Sequence, residues 1–145
     1  MPNLGYACIN MTLRKNKIFT NRGMIKRTFK QKGIDYASEL ALLNVRDLIE
    51  IIKWNHKNNV NFFRVSSNVF PWASEYNLSD MPHYHRISNL LSGAGRLAQK
   101  YNQRITSHPG PFNVLVSPPK KVVEKTIKKL SIHSAFFDMM NLSQT

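Results

Sequence analysis

Apolar residues recur at spacings of three and four in three stretches of this chain, and a short apolar run precedes each stretch. The runs at 4–9, 60–66 and 104–107 read as strands, because short apolar segments ahead of a turn signal suit a buried strand. In the first helical stretch Leu42, Val45, Ile49 and Ile52 share a stripe, while Arg46, Asp47, Glu50 and Lys53 take other faces. In the second, Ile87, Leu91, Ala94, Ala98 and Tyr101 do the same. Gly93 and Gly95 interrupt it, weakening that helix by about 1 kcal/mol each relative to Ala or permitting close packing. In the third, Val123, Ile127, Leu130, Ser134 and Phe137 form the stripe, with Lys121, Lys125 and Lys128 opposite. Ser117 is placed to cap it and Pro118 to open its first turn. The order β-α-β-α-β-α predicts an α/β chain with a parallel sheet.

The connections are lopsided. Those entering the second and third strands are short, 55–59 and 102–103, while those leaving the strands are long, 10–33, 67–84 and 108–117. In parallel α/β folds the loops after the carboxyl ends of strands carry function, and here they carry the chemically unusual residues. With 145 residues the chain is shorter than a complete eight-stranded α/β barrel, which needs ~200 or more.

Charge narrows the partner. Lys and Arg number 21 against 8 acidic residues, a net charge of +13. An excess of that size suits a polyanion, most simply nucleic acid. Cys8 is the only cysteine. No intrachain disulfide can form, disulfide-built secreted scaffolds are excluded, and a reducing setting fits. No apolar run approaches ~18 residues, so no membrane span is expected. The first residues, MPNLGYACIN, lack a basic segment followed by an apolar one. No signal peptide is therefore expected, and the expected location is intracellular, in cytoplasm or nucleus.

The 10–33 connection holds Arg14, Lys15, Lys17, Arg22, Lys26, Arg27, Lys30 and Lys32 and no acidic residue. That pattern suits phosphate contacts; a solvated loop is the plain alternative. After the second strand, Phe70, Pro71 and Trp72 make an aromatic corner, followed by Glu75, a metal ligand or a partner for a nearby cation. Such rings support unstacked bases in some proteins, although core packing is the commoner use. His83 and His85 form an H-x-H pair at a helix start, where surface histidines are the default reading. His56 and His133 lie on or near helices and read as structural or exposed. His108 ends the third strand ahead of Pro109 and Gly110, well placed as a metal ligand or base, and Phe112 projects beyond the turn.

Four stretches, LGYACINMTLR, ELALLNVRDLIEIIKWN, NFFRVSSNVFPWAS and RITSHPGPFNVL, are similar in order and spacing to the UV damage endonucleases, and the resemblance covers essentially the whole chain. It implies a TIM-type barrel with a cluster of divalent metal ions, usually manganese, that incises DNA on the 5′ side of UV photoproducts. Residues 1–145 would be the N-terminal portion of that barrel, about three βα units of the eight. His108 then matches a metal-ligand histidine of the S-H-P-G motif. Tyr6 and Asn10 match residues at the mouth of the first strand that face the active site and DNA. Phe112 takes the place of an aromatic residue that probes the duplex, and Asn44 and Arg64 match positions with a positioning or structural role. Lys26, Arg27, Lys30 and Lys32 remain as phosphate contacts read from charge alone.

Two positions depart from the family. Some members have a metal-binding histidine where this chain has Glu75, and a carboxylate also ligates hard divalent ions. Some have a glutamine before the probing aromatic, where Pro111 stands. The family's remaining ligands come from later strands. The resemblance therefore implies an endonuclease whose active site is incomplete here, with a C-terminal half or a second copy as partner chain. A non-catalytic basic DNA-binding remnant, or one half of a split enzyme, is the alternative.

Overall fold

The structure is a computed structural model, and it describes residues 5–7, 10–65, 69–107, 131–132 and 134–140. Three parallel strands, β1 (Gly5–Ala7), β2 (Phe62–Val65) and β3 (Arg104–Ser107), form one sheet in the order β1-β2-β3. Between them lie a short helix α1 (Met11–Arg14), a long helix α2 (Lys26–Lys57) and a third helix α3 (Tyr84–Lys100). Two 3-10 turns, Ala73–Glu75 and Leu78–Asp80, occupy the connection from β2 to α3. Residues 131–132 and 134–140 are helical, in the stretch where the third periodic stripe ends. The α/β reading and the parallel sheet hold. Ser117, Pro118 and the stripe's first members, Val123, Ile127 and Leu130, lie outside the described residues.

The register aligns Tyr6 with Phe63 and Phe63 with Ile105. Because side chains alternate along a strand, these three point the same way. Phe63 and Ile105 are buried in the core with Val45, Leu48, Ile51 and Ile52 of α2 and Ile87, Leu91, Ala94 and Ala98 of α3. That is the helix-covered face. Each Val, Leu, Ile or Phe among them contributes about 1.5–3 kcal/mol when fully buried. The opposite face carries Phe62, Arg64, Arg104 and Thr106; both arginines are exposed.

The core stripe of α2 differs from its sequence reading. Leu42 and Ile49 are only half-buried, whereas Ala41, Asn44, Val45, Leu48, Ile51, Ile52 and Asn55 form the buried face. The periodic apolar set lies along one edge of a wider stripe that includes two asparagines and Asp47. α2 also begins earlier than the 10–33 loop predicts. Residues 26–32 are helical, and the break falls at Gly33, with φ 67° and ψ −157°. Only glycine adopts such a conformation without strain. Among the described residues, no helix is long and apolar enough to cross a membrane.

Candidate nucleic-acid interface

Asn10 follows β1 and is buried. It caps α1 by accepting from the Leu13 amide at 2.9 Å, and its Nδ2 donates to the Tyr6 hydroxyl at 2.8 Å. The Tyr6 hydroxyl donates in turn to Asn55 Oδ1 at 2.5 Å. The Tyr6 ring packs on Phe63, with centroids 5.0 Å apart, and edge-on to Trp54. Burial raises the Tyr6 phenol above its ordinary pKa, opposed by the hydrogen bonds to Asn10 and Asn55. Both residues thus stand beside the exit from β1, with their polar atoms joined in one chain against α2.

Beyond α1 the connection turns at Lys17, φ 62°, and is tied down by Arg22. The guanidinium donates to Asp47 Oδ2 at 2.6 Å and to the Lys17 carbonyl at 3.0 Å, and it lies over the Phe19 ring. Asp47 is only 3% exposed. The sequence places Asp47 off the apolar stripe and Arg22 among the phosphate-binding cations. In the structure Asp47 is buried and pairs with Arg22, whose side chain is 14% exposed. Asn44, fully buried, accepts from the Arg22 amide at 3.0 Å and donates to the carbonyls of Arg22 and Val69. It thereby joins the connection after β1 to the connection after β2.

The other seven cations of the 10–33 connection, Arg14, Lys15, Lys17, Lys26, Arg27, Lys30 and Lys32, are exposed. None of them forms an ion pair among the described residues. Lys26, Arg27 and Lys30 occupy the opening turns of α2, which hold no acidic residue, and Ile25 provides no side-chain cap. Cations at a helix N-terminus oppose the macrodipole. Their concentration there weakens the helix locally and raises the positive potential that attracts an anion.

After β2, Val69, Phe70 and Pro71 are buried, and Phe70 meets Phe136 edge-on, as its core reading expects. Trp72 is half-buried instead. Its ring stacks on Phe29 with centroids 5.4 Å apart and planes 10° apart, and its Nε1 donates to the Met24 carbonyl at 2.8 Å. Glu75 ends the following 3-10 turn, exposed and without an ion pair among the described residues. His83 stands at the N-cap of α3 and His85 in its first turn, where residues two apart do not face each other. His56 stacks on Tyr101 at the far end of the sheet, a structural contact between the ends of α2 and α3. His108, Phe112 and His133 lie outside the described residues. Among the described residues no group of three or more His, Cys, Asp or Glu is placed to hold a metal ion.

The family model described as UV-endonuclease UvdE matches residues 2–145. The chain belongs to this family. Among UvdE relatives, the "UV-damage endonuclease" of Schizosaccharomyces pombe is 36% identical over 143 residues, covering 97% of this chain and 24% of that protein. The Neurospora crassa protein of the same name is 32% identical over 175 residues, covering 97% and 26%. The crystal structure of SacUVDE superposes with a TM-score of 0.82 at 26% identity, covering 100% of this chain and 48% of that one. The chain thus spans about a quarter of these two curated UvdE relatives and about half of the solved one. The sequence reading missed the Arg22–Asp47–Asn44 network and the Phe29–Trp72 stack. Both join residues more than 20 positions apart, and neither leaves a local pattern.

Proposed function

We propose that residues 1–145 are the N-terminal portion, the first three βα units, of a TIM-type UV damage endonuclease. This is a DNA repair enzyme that hydrolyses a phosphodiester bond on the 5′ side of UV photoproducts. The observation that carries the reading is the family match across residues 2–145. It is supported by seven exposed cations in the connection that leaves the carboxyl end of β1. In this reading Lys26, Arg27, Lys30 and Lys32 neutralise phosphates along the duplex. Phe112 probes the stack, and Tyr6 and Asn10 set the exit from β1 beside the DNA.

The described residues do not assemble a metal centre on their own. Glu75 offers one hard oxygen ligand, and His108 directly follows β3. The reading takes both as ligands of divalent ions, manganese foremost, whose other ligands come from strands beyond these three. When bound, such ions activate water and stabilise the departing oxygen. The exposed cations alone fit a second reading, a DNA-binding segment without catalysis.

The test is nicking of irradiated and unirradiated supercoiled plasmid with manganese, with the protein alone and mixed with the C-terminal part of a UvdE relative. The expected result is nicking of irradiated plasmid only, lost with a chelator and lost in His108→Ala, while His108→Ala still binds DNA. Nicking of both plasmids alike would refute the lesion-specific reading, and full activity in His108→Ala would refute the role of His108 as a metal ligand. Binding without nicking in any combination would favour the second reading.

A further inference from the structure

We infer that Trp72 is a positioning residue for DNA, a latch that holds the basic segment 26–32 against the turn following β2. The inference rests on the DNA-binding reading above and names what fixes the geometry of its phosphate contacts. The segment does not take its position from the long helix alone. The backbone break at Gly33 separates residues 26–32 from the rest of α2, Ile25 offers no side-chain cap, and the first turn has cations where acids would be favoured.

Phe29 is the one large apolar side chain in 26–32. Its ring lies face to face with Trp72, and Tyr76 flanks it at 6.2 Å. The Trp72 Nε1 bond to Met24 fastens the chain just ahead of the segment. Trp72 itself has φ 58° and ψ 26°, a left-handed conformation that a bulky residue adopts at a cost and glycine adopts freely. A strained tryptophan where glycine would be easier points to a use for the ring. The turn beneath it is firm: the Trp72 carbonyl accepts from the Glu75 amide at 2.9 Å, and the Tyr76 hydroxyl donates to the Pro71 carbonyl at 2.6 Å. Cations held in place before the duplex arrives lose less freedom on binding than cations on a loose arm.

Duplex binding over a salt series, with thermal melting alongside, tests the latch in Phe29→Ala, Trp72→Gly and Trp72→Phe of the intact protein. Trp72→Gly suits the left-handed backbone and removes the ring together with its Nε1 bond to Met24, while Trp72→Phe keeps a ring that can stack but not that bond. Phe29→Ala and Trp72→Gly should bind more weakly, with a salt slope shallower by ~0.9 for each phosphate that is no longer neutralised. Trp72→Phe should restore most of both, and the melting temperature of Trp72→Gly should stay near that of the parent. Unchanged affinity and slope in both ring-deleted variants would overturn the latch. So would weaker binding at an unchanged slope, or weaker binding that follows a lowered melting temperature and is not rescued by Trp72→Phe. The fourfold replacement Lys26→Ser, Arg27→Ser, Lys30→Ser and Lys32→Ser separates the two claims. If it binds like the parent, the DNA reading of the segment fails; if it binds weakly while the ring variants do not, only the latch fails.

Discussion

Asn44 uses both ends of its side-chain amide to join two connections at the carboxyl side of the sheet. Asn44→Leu keeps the branching at Cγ, in a somewhat larger side chain, but leaves the Arg22 amide and two carbonyls without this partner. A buried group left unsatisfied costs about 1–3 kcal/mol, and only the bond to the Val69 carbonyl is fully buried, so a loss of about 1–3 kcal/mol is expected in urea denaturation. A loss below about 0.5 kcal/mol, ordinary for a surface substitution, would show that the clip is dispensable. Helical periodicity gave no reason to bury an asparagine here, and Asp47 looked like a solvent-face charge. Their partners lie 22 and 25 residues earlier in the chain. Tyr6 and Tyr76 make the residue scale sensitive to alkali. Burial raises both phenols above the ordinary 10.0. The folded state therefore holds these protons more tightly than the unfolded state. Their stabilisation is fully present below pH 10 and is lost as pH rises from there towards the folded pKa values. Tyr76→Phe should flatten the fall in stability above pH 10, measured by urea titrations at stepped pH. An equally steep fall in that variant would contradict the assignment.

Elements with a strong apolar period were legible; the others were not. The buried face of α3 contains Ile87, Leu91, Ala94 and Ala98, as their spacing predicts. α1 is only four residues long, too short for a period, and the Asn10 cap that opens it shows only in the structure. Residues 26–32 carry one large apolar side chain among four cations, so nothing periodic marks them as helix. Gly93 and Gly95 read alike in the sequence and differ in the structure. A Cβ on Gly93 would meet only the Arg96 side chain at 3.8 Å, whereas one on Gly95 would collide with the Met140 carbonyl. Gly93→Ala should therefore stabilise the protein by up to about 1 kcal/mol through helix propensity. Gly95→Ala should destabilise it by about 1–3 kcal/mol by forcing the last helical segment away from α3. Thermal unfolding of the two variants checks both signs, and stabilisation by Gly95→Ala would contradict the close crossing.

At the scale of the molecule, the sheet is covered on one face only among the described residues. Its other face shows Arg64 and Arg104, and among the described residues β1 and β3 each pair on one side. Uncovered strand edges recruit other strands. Self-association that rises with protein concentration is thus expected in sedimentation velocity, and a concentration-independent monomer would contradict it. The parallel order was legible because three strand-helix alternations leave little choice. Glu75 and His108, the proposed metal ligands, sit 33 positions apart in the sequence with no shared local pattern, and His108 lies outside the described residues. The proposed role is that of one part of a lesion-specific endonuclease. Its most direct test is to map the cut made in a duplex carrying one defined UV photoproduct, with manganese, the protein and the complementing C-terminal part of a UvdE relative. A single incision is expected on the 5′ side of the lesion, absent from the undamaged duplex and absent with His108→Ala. Incision that ignores the lesion, falls on its 3′ side, or persists in His108→Ala would contradict this expectation.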